Sequence, residues 1–260
     1  VNSQQDAEKH LASIQQDLIE MAHQVAQFEE MAILGEGNVS GQLDADRLLI
    51  KASGTQLGTL TTDQLVEVNS QVILKSLDGA DTGDEGVESL LLESRANPDA
   101  LKPSVETLFH SWLLELPGIH FVGHTHPICV NQLLCSPRAE DYAKRRLFPD
   151  QIVYCGQESV LIPYVDPGLT LARCIAQEVE AFRDRTGCIP KTILLENHGL
   201  IAIGGSAKQV EAALMMAEKA ARVFVGATTA GGPIFMPVEQ VERIGARSDE
   251  HYRQRMLETN

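Results

Sequence analysis

His124-Thr125-His126 closes an apolar run, and His198 follows far downstream within Leu195-Glu196-Asn197-His198-Gly199. In an extended strand alternate side chains share a face, so His124 and His126 can present two imidazoles to one point while Thr125 faces away. Two such rings make half a metal site. A third from His198, with a carboxylate or water completing the shell, suits a zinc-type Lewis acid. Spacing alone leaves open whether the distant His198 closes the site.

Glu106 is the acid/base candidate, because it sits near the first turn of a helix expected just before the histidine strand. A nearby cation lowers a carboxyl pKa, whereas burial raises it. A solvated charge at a helix start is the competing reading. His110 is one helical turn later and can share a face with Glu106, orienting a ligand or filling a polar niche. His120 lies deeper along the strand and reads as a satisfied core histidine.

Residues 35–40, Gly35-Glu36-Gly37-Asn38-Val39-Ser40, lack the Lys-Ser/Thr pair of a P-loop and the spacing of a dinucleotide fingerprint. The glycines permit close backbone approach, and Asn38 and Ser40 carry hydrogen-bond donors. With Ser53, Gly54 and Ser104 they could build a small anion pocket, although ordinary turns explain the same residues. Lys51 lies close to that loop in sequence, and strand direction could turn it outward.

Positioning these groups requires a layered scaffold. Residues 5–27 carry Leu11, Ile14, Leu18, Met21, Ala22 and Val25 at helical spacing. Leu48-Leu49-Ile50 reads as a buried strand, and residues 61–65 begin another short element. Pro103-Ser104 starts a helix through Val105, Leu108, Phe109, Trp112 and Leu113, and Pro117-Gly118 ends it. Residues 119–122 then form the strand that delivers His124 and His126. Residues 152–154, 160–162, 191–195 and 200–203 read as further strands, and residues 169–183 and 206–225 as helices. This alternation favours a layered α/β domain, with no linker or repeat to divide it. The acidic stretch around residues 76–102 reads as an exposed loop or insertion.

The 260 residues include 43% hydrophobic side chains, enough for a sizeable core. Thirty-six acids against twenty-one Lys and Arg give a formal charge of -15, which argues against nucleic-acid and membrane-surface partners. An anionic small molecule would therefore need a local pocket. The five cysteines form no CxxC pair, and neither a cationic leader nor a membrane-spanning run is evident. A reducing, cytoplasmic setting follows as the expectation.

In order and spacing, several segments together resemble the class II aldolase/adducin family. They are Gly37-Asn38-Val39-Ser40, Leu49-Ile50 leading into Ser53-Gly54, Pro103-Ser104-Val105-Glu106 with His110, His124-Thr125-His126-Pro127, and Glu196-Asn197-His198-Gly199-Leu200. The resemblance covers most of residues 10–225. It implies a single three-layer α/β/α domain, residues 1–260, around a largely antiparallel sheet, assembled as a homotetramer.

The resemblance also implies His124, His126 and His198 as ligands of a divalent metal, Zn2+ first, with Mn2+, Co2+ or Fe2+ as alternatives. Glu106 becomes the catalytic carboxylate, and Asn38, Ser53, Gly54 and Ser104 match positions around a substrate phosphate. Tyr154 and Tyr252 are candidates for a second acid/base. Val105 stands where many relatives carry a second phosphate-binding serine, so one donor is missing. The activity implied is reversible aldol cleavage of a ketose phosphate through an enediolate. Decarboxylation, dehydration, pentulose-phosphate epimerisation and a noncatalytic adducin-like interaction domain are the alternatives. Glu106 favours aldolase over epimerase, whose corresponding carboxylate is often Asp.

Overall fold

The run that carries the paired histidines lies in the middle of a seven-stranded sheet. The computed structural model describes residues 2–80 and 83–247, with side chains from residue 5 onward. Strand β4 (Phe121–Thr125) is flanked by β1 (Asn38–Gln42) and β7 (Gly199–Gly204), both antiparallel to it. The register sets Asn38 on one side of His124 and Ile201 on the other. Beyond β1 lie β2 (Arg47–Lys51) and β3 (Leu65–Asn69); beyond β7 lie β6 (Thr192–Leu195) and β5 (Val160–Ile162). The order is β3-β2-β1-β4-β7-β6-β5, and the β5–β6 pair alone is parallel.

Helices cover both faces. Against one face pack α1 (Asn2–Ala26), α5 (Ile128–Leu134), α6 (Ala139–Lys144), α7 (Pro149–Cys155) and α9 (Ala207–Thr229). Against the other pack α2 (Ser70–Leu77), α3 (Gly83–Glu93), α4 (Thr107–Leu114) and α8 (Leu169–Thr186). A further helix, α10 (Val238–Gly245), packs on α7. The result is the expected three-layer α/β/α arrangement.

Alternation along the strands builds the two cores. Phe121, Leu200, Ala202 and Leu194 enter one, while Val122, Ile201, Ile203 and Ile193 enter the other. Strands buried on both faces read as continuous apolar runs, which is why 191–195 and 200–203 stood out in the sequence. No helix of the described residues is long and apolar enough to cross a membrane.

Three local expectations are corrected. Residues 152–154 are helical, within α7, whose Pro149 occupies the first turn, where its missing N–H costs nothing. Part of the acidic stretch is also helical: α2 runs to Leu77, and α3 places Val87 and Leu91 in the core. Asp84 and Glu85 lie in its first turn, where negative charge complements the helix dipole. The helix expected from Pro103 begins only at Thr107. Pro103 instead bridges to Ala52, and Ser53 N donates to Lys102 O at 2.9 Å, tying the two segments of the expected anion pocket together.

Candidate metal centre

Three elements bring the histidines together. His124 belongs to β4, His126 lies just past its end, and His198 sits in the hairpin between β6 and β7. Because β7 pairs with β4, that hairpin opens beside the end of the histidine strand. The ring centroids form a near-regular triangle, 4.8 Å for His124–His126, 5.0 Å for His124–His198 and 5.1 Å for His126–His198. Glu106 completes the set from the start of α4. One ligand atom from each of the four residues lies within 4.8 Å of the others.

Tight turns make the convergence possible. Asn197 adopts φ 54°, the left-handed region that asparagine tolerates, and Asn131 Nδ2 donates to His198 O at 3.0 Å to hold the hairpin against α5. A Cβ at Gly199 would lie 2.6 Å from Thr125 O and 2.7 Å from His126 Cδ2. A Cβ at Gly37, whose φ is 77°, would lie 2.8 Å from His124 O. Gly199→Ala is therefore expected to push the hairpin from β4, costing about 1–3 kcal/mol in urea unfolding. Divalent-ion affinity, read by chelator competition, should fall with it.

The rear nitrogens show which atoms face inward. His124 Nδ1 lies 3.0 Å from the carbonyl of Leu200, so Nδ1 carries a proton and Nε2 faces inward, where it offers a lone pair to a cation or, without one, holds a proton against Glu106. His124 Nε2 lies 2.9 Å from His126 Nε2 and 3.1 Å from Glu106 Oε1, which is 3.4 Å from His198 Nε2. Facing lone pairs repel unless a cation or proton lies between them. Three imidazole nitrogens and a carboxylate oxygen, largely enclosed, fit a divalent ion of the zinc type.

Glu106 is held for this role. Asn38 Nδ2 donates both to Glu106 Oε2 and, at 3.0 Å, to Ser104 Oγ, which also accepts from Glu106 N at 3.3 Å. Burial works to raise the Glu106 carboxyl pKa. The charge and hydrogen bond of His124, with hydrogen bonds from His198 and Asn38, hold it well below the ordinary range. His126 is pushed down to about 3 by burial and then by His124 and His198, so its ring is neutral at pH 7.

Of the expected anion-pocket residues, Asn38 and Ser104 touch Glu106 directly. Ser53 and Gly54 lie exposed on the adjoining turn, where a Cβ at Gly54 would meet open space. Ser104 Oγ accepts two bonds, leaving its proton available to a ligand. Ser40 does not join them: its Oγ lies 2.6 Å from His110 Nδ1, beneath the site. Lys51 turns inward, 1% exposed, with Nζ donating to Thr55 O at 2.7 Å behind the Ser53-Gly54 turn. Burial lowers its pKa, against the attraction of Glu106.

Tyr154 lies on α7, in a groove of about 510 Å³ with Phe28, Met31, Met215 and Met216, outside the four-residue cluster. Tyr252 falls outside the described residues. His120 is exposed, its Nδ1 2.9 Å from Gln42 Oε1, and is not the core residue expected. His110 is fully buried and stacks on Phe109 at 4.8 Å.

Burial pushes the His110 pKa down to about 3, against the attraction of Glu106. An unfolded imidazole titrates near about 6.5. Below that pH the unfolded chain takes up a proton that the folded chain refuses, so this contribution is complete above it and is lost towards about 3. Between pH 6 and 5 the stability of His110→Gln should fall less steeply than that of the wild type, by about 1 kcal/mol per pH unit. Urea unfolding of the two metal-free proteins checks it.

Sequence reasoning missed Glu36, whose Oε1 lies 3.7 Å from His126 Nδ1. It also missed Asn131. The signal for Glu36 was its place in the Gly35-Glu36-Gly37-Asn38 turn, two residues from a β1 residue paired with His124.

Known proteins resemble the chain in sequence and in fold. The sequence matches the family described as Class II Aldolase and Adducin N-terminal domain over residues 16–225. It is 28% identical over 172 residues to the 3-oxo-tetronate 4-phosphate decarboxylase of Haemophilus influenzae, covering 65% of this chain and 67% of that protein. It is 28% identical over 181 residues to the methylthioribulose-1-phosphate dehydratase of Yersinia enterocolitica, covering 66% and 73%. The match to the oxidoreductase YuxG of Bacillus subtilis, 28% over 155 residues, spans 60% of this chain but only 20% of YuxG.

Among solved structures, the N-terminal class II aldolase domain of a Thermoplasma acidophilum protein superposes with TM-score 0.66 at 24% identity, covering 80% of this chain and 92% of that one. L-fuculose 1-phosphate aldolase from Glaciozyma antarctica gives 0.63 at 19%, covering 92% and 82%. The chain belongs to the class II aldolase/adducin family, whose members include aldolases, decarboxylases and dehydratases.

Proposed function

We propose that this chain is a metal-dependent lyase that reversibly cleaves a carbon–carbon bond in a ketose phosphate or related phosphorylated hydroxy-ketone. The observation that carries the reading is the meeting of Glu106 Oε1 with the Nε2 atoms of His124 and His198, with His126 alongside. A divalent ion bound there, Zn2+ first and Mn2+, Co2+ or Fe2+ otherwise, would supply Lewis-acid stabilisation of negative charge developing on substrate oxygens.

The chain's own groups would do the rest. Glu106, held ionised, is a base aimed into the centre. In the condensation direction it takes a proton from the carbon next to the ketone. In cleavage the bond's electron pair stays on the ketone fragment, and that carbon takes a proton from Glu106, which the carboxylate has first taken from solvent. The hydroxyl proton lost from the other fragment passes to a second group, for which Tyr154 and Tyr252 are the candidates. Asn38 fixes the Glu106 carboxylate, while the Ser104 hydroxyl and the Ser53-Gly54 turn supply the anion-binding edge.

The decarboxylase and dehydratase relatives favour a second reading on the same skeleton. Loss of carbon dioxide also leaves negative charge beside a carbonyl, and loss of water can pass through the same charge, formed when a base takes the neighbouring carbon's proton and spent as hydroxide leaves. We further propose a homotetramer, as the family resemblance implies, and a reducing compartment, which the five free cysteines support.

A metal-reconstituted screen of ketose phosphates and phosphorylated oxo-acids, read by mass spectrometry, separates aldehyde release from loss of carbon dioxide or water. Aldehyde release is expected. Loss of carbon dioxide or water alone would replace the aldolase reading with the second. A folded, metal-loaded protein that turns over no member of either class would remove both.

A further inference from the structure

We propose that Glu36 is a positioning residue for the metal centre: its carboxylate takes the Nδ1–H of His126 and keeps that ring's Nε2 turned to the other ligands. The inference rests on the metal reading of the site and goes beyond it, because Glu36 belongs to none of the four groups that would touch the ion.

Geometry carries the argument. Glu36 Oε1 lies 3.7 Å from His126 Nδ1, a separation that a small rotation closes to a hydrogen bond. The carboxylate is not free to wander. Glu36 Oε2 accepts from Ile33 N at 3.0 Å while Glu36 N donates to Ile33 O at 3.1 Å, so side chain and backbone grip the same turn. On its other side Gly37 packs against the His124 carbonyl, and Asn38 pairs with His124 in the sheet. Glu36 is thus tied to the strand that delivers the ring it faces.

The chemistry explains the need. A neutral imidazole has one proton, and only the tautomer protonated on Nδ1 leaves Nε2 as a ligand. For His124 the carbonyl of Leu200, fixed in β7, makes that choice. His126 lies past the strand end and is 23% exposed at its side chain, and among the described residues no sheet carbonyl takes its Nδ1. A carboxylate there selects the ligand tautomer, fixes the ring and raises its basicity. It also brings charge balance. A divalent ion with Glu106 and three neutral imidazoles retains one positive charge, which a second carboxylate offsets.

The test compares wild type, Glu36→Ala and Glu36→Gln. Affinity for Co2+ is measured by chelator competition, and the His126 tautomer of the metal-free protein by long-range proton–nitrogen NMR. Wild type should bind Co2+ with His126 protonated on Nδ1. Glu36→Ala should weaken binding about 10–100-fold and move part of the His126 population to the Nε2 tautomer. Glu36→Gln, whose amide oxygen still accepts Nδ1–H without charge, should recover the tautomer and part of the affinity. A loosened turn alone would leave the tautomer unmoved. Unchanged tautomer, or Co2+ affinity within about threefold of wild type in a folded Glu36→Ala protein, overturns the role of Glu36 while leaving the metal centre standing. Wild type that binds no divalent ion overturns both.

Discussion

Glu106→Gln should reduce turnover of the metal-saturated protein about 10²–10⁴-fold while the fold survives. The reason is local. Glu106 is the one carboxylate in the four-residue cluster, its side chain is 13% exposed, and its oxygens are divided between the His124/His198 side and Asn38. Glutamine preserves shape and can still accept from Asn38, but it cannot take a proton from carbon. It also removes a negative charge from the centre, so the comparison needs saturating metal. Exchange of the substrate's carbon-bound proton with deuterated solvent isolates the step, because exchange does not require bond cleavage to be complete. Wild-type exchange in the glutamine variant would remove Glu106 as the base and leave it only a ligand.

Much of the scaffold was legible because both faces of the sheet are covered. Val122, Ile193, Leu194, Ile201 and Ala202 are all buried, and their unbroken apolar runs announce strands. The same logic explains the inward turn of Lys51. In β2 it is in phase with Leu49, which enters a core, and Thr55 O holds its ammonium beneath the turn. The misses came where local pattern and tertiary context disagree. Ile152-Val153-Tyr154 has strand-forming side chains, yet packing against α9 and α10 makes it helical. In α3 the acidic first turn hid a buried stripe of only two residues, Val87 and Leu91.

The site was legible in parts. Alternation placed His124 and His126 together from sequence alone. His198 joined them through the long-range pairing of β7 with β4, which no local spacing encodes; the family resemblance supplied it. Asn38 and Ser104 were read as anion-binding residues, and in the structure both hydrogen-bond to Glu106. Ser40 illustrates the limit. It sits two residues from Asn38 on the same strand face, but deeper, where the ring of His110 claims its hydroxyl.

His124→Ala should abolish both firm metal retention and turnover. A four-ligand site with apparent binding energy of about 10–16 kcal/mol loses roughly a quarter of it with one imidazole, about 10²–10³-fold or more in affinity. His124 adds a second cost, since it is fully buried in the central strand and its Nδ1–H satisfies Leu200 O. Its removal leaves a cavity and takes one hydrogen bond from the Leu200 carbonyl, adding about 1–3 kcal/mol of destabilisation. His198→Ala separates the two effects, because that ring stands in the hairpin, 14% exposed at its side chain. Both variants should lose the ion, and His124→Ala alone should show the large drop in metal-free stability. Metal stoichiometry by mass spectrometry and urea unfolding on the same preparations read both quantities. Full metal content in a folded His124→Ala protein would mean that the ion is held elsewhere, and the convergence of the three rings would then need a different explanation.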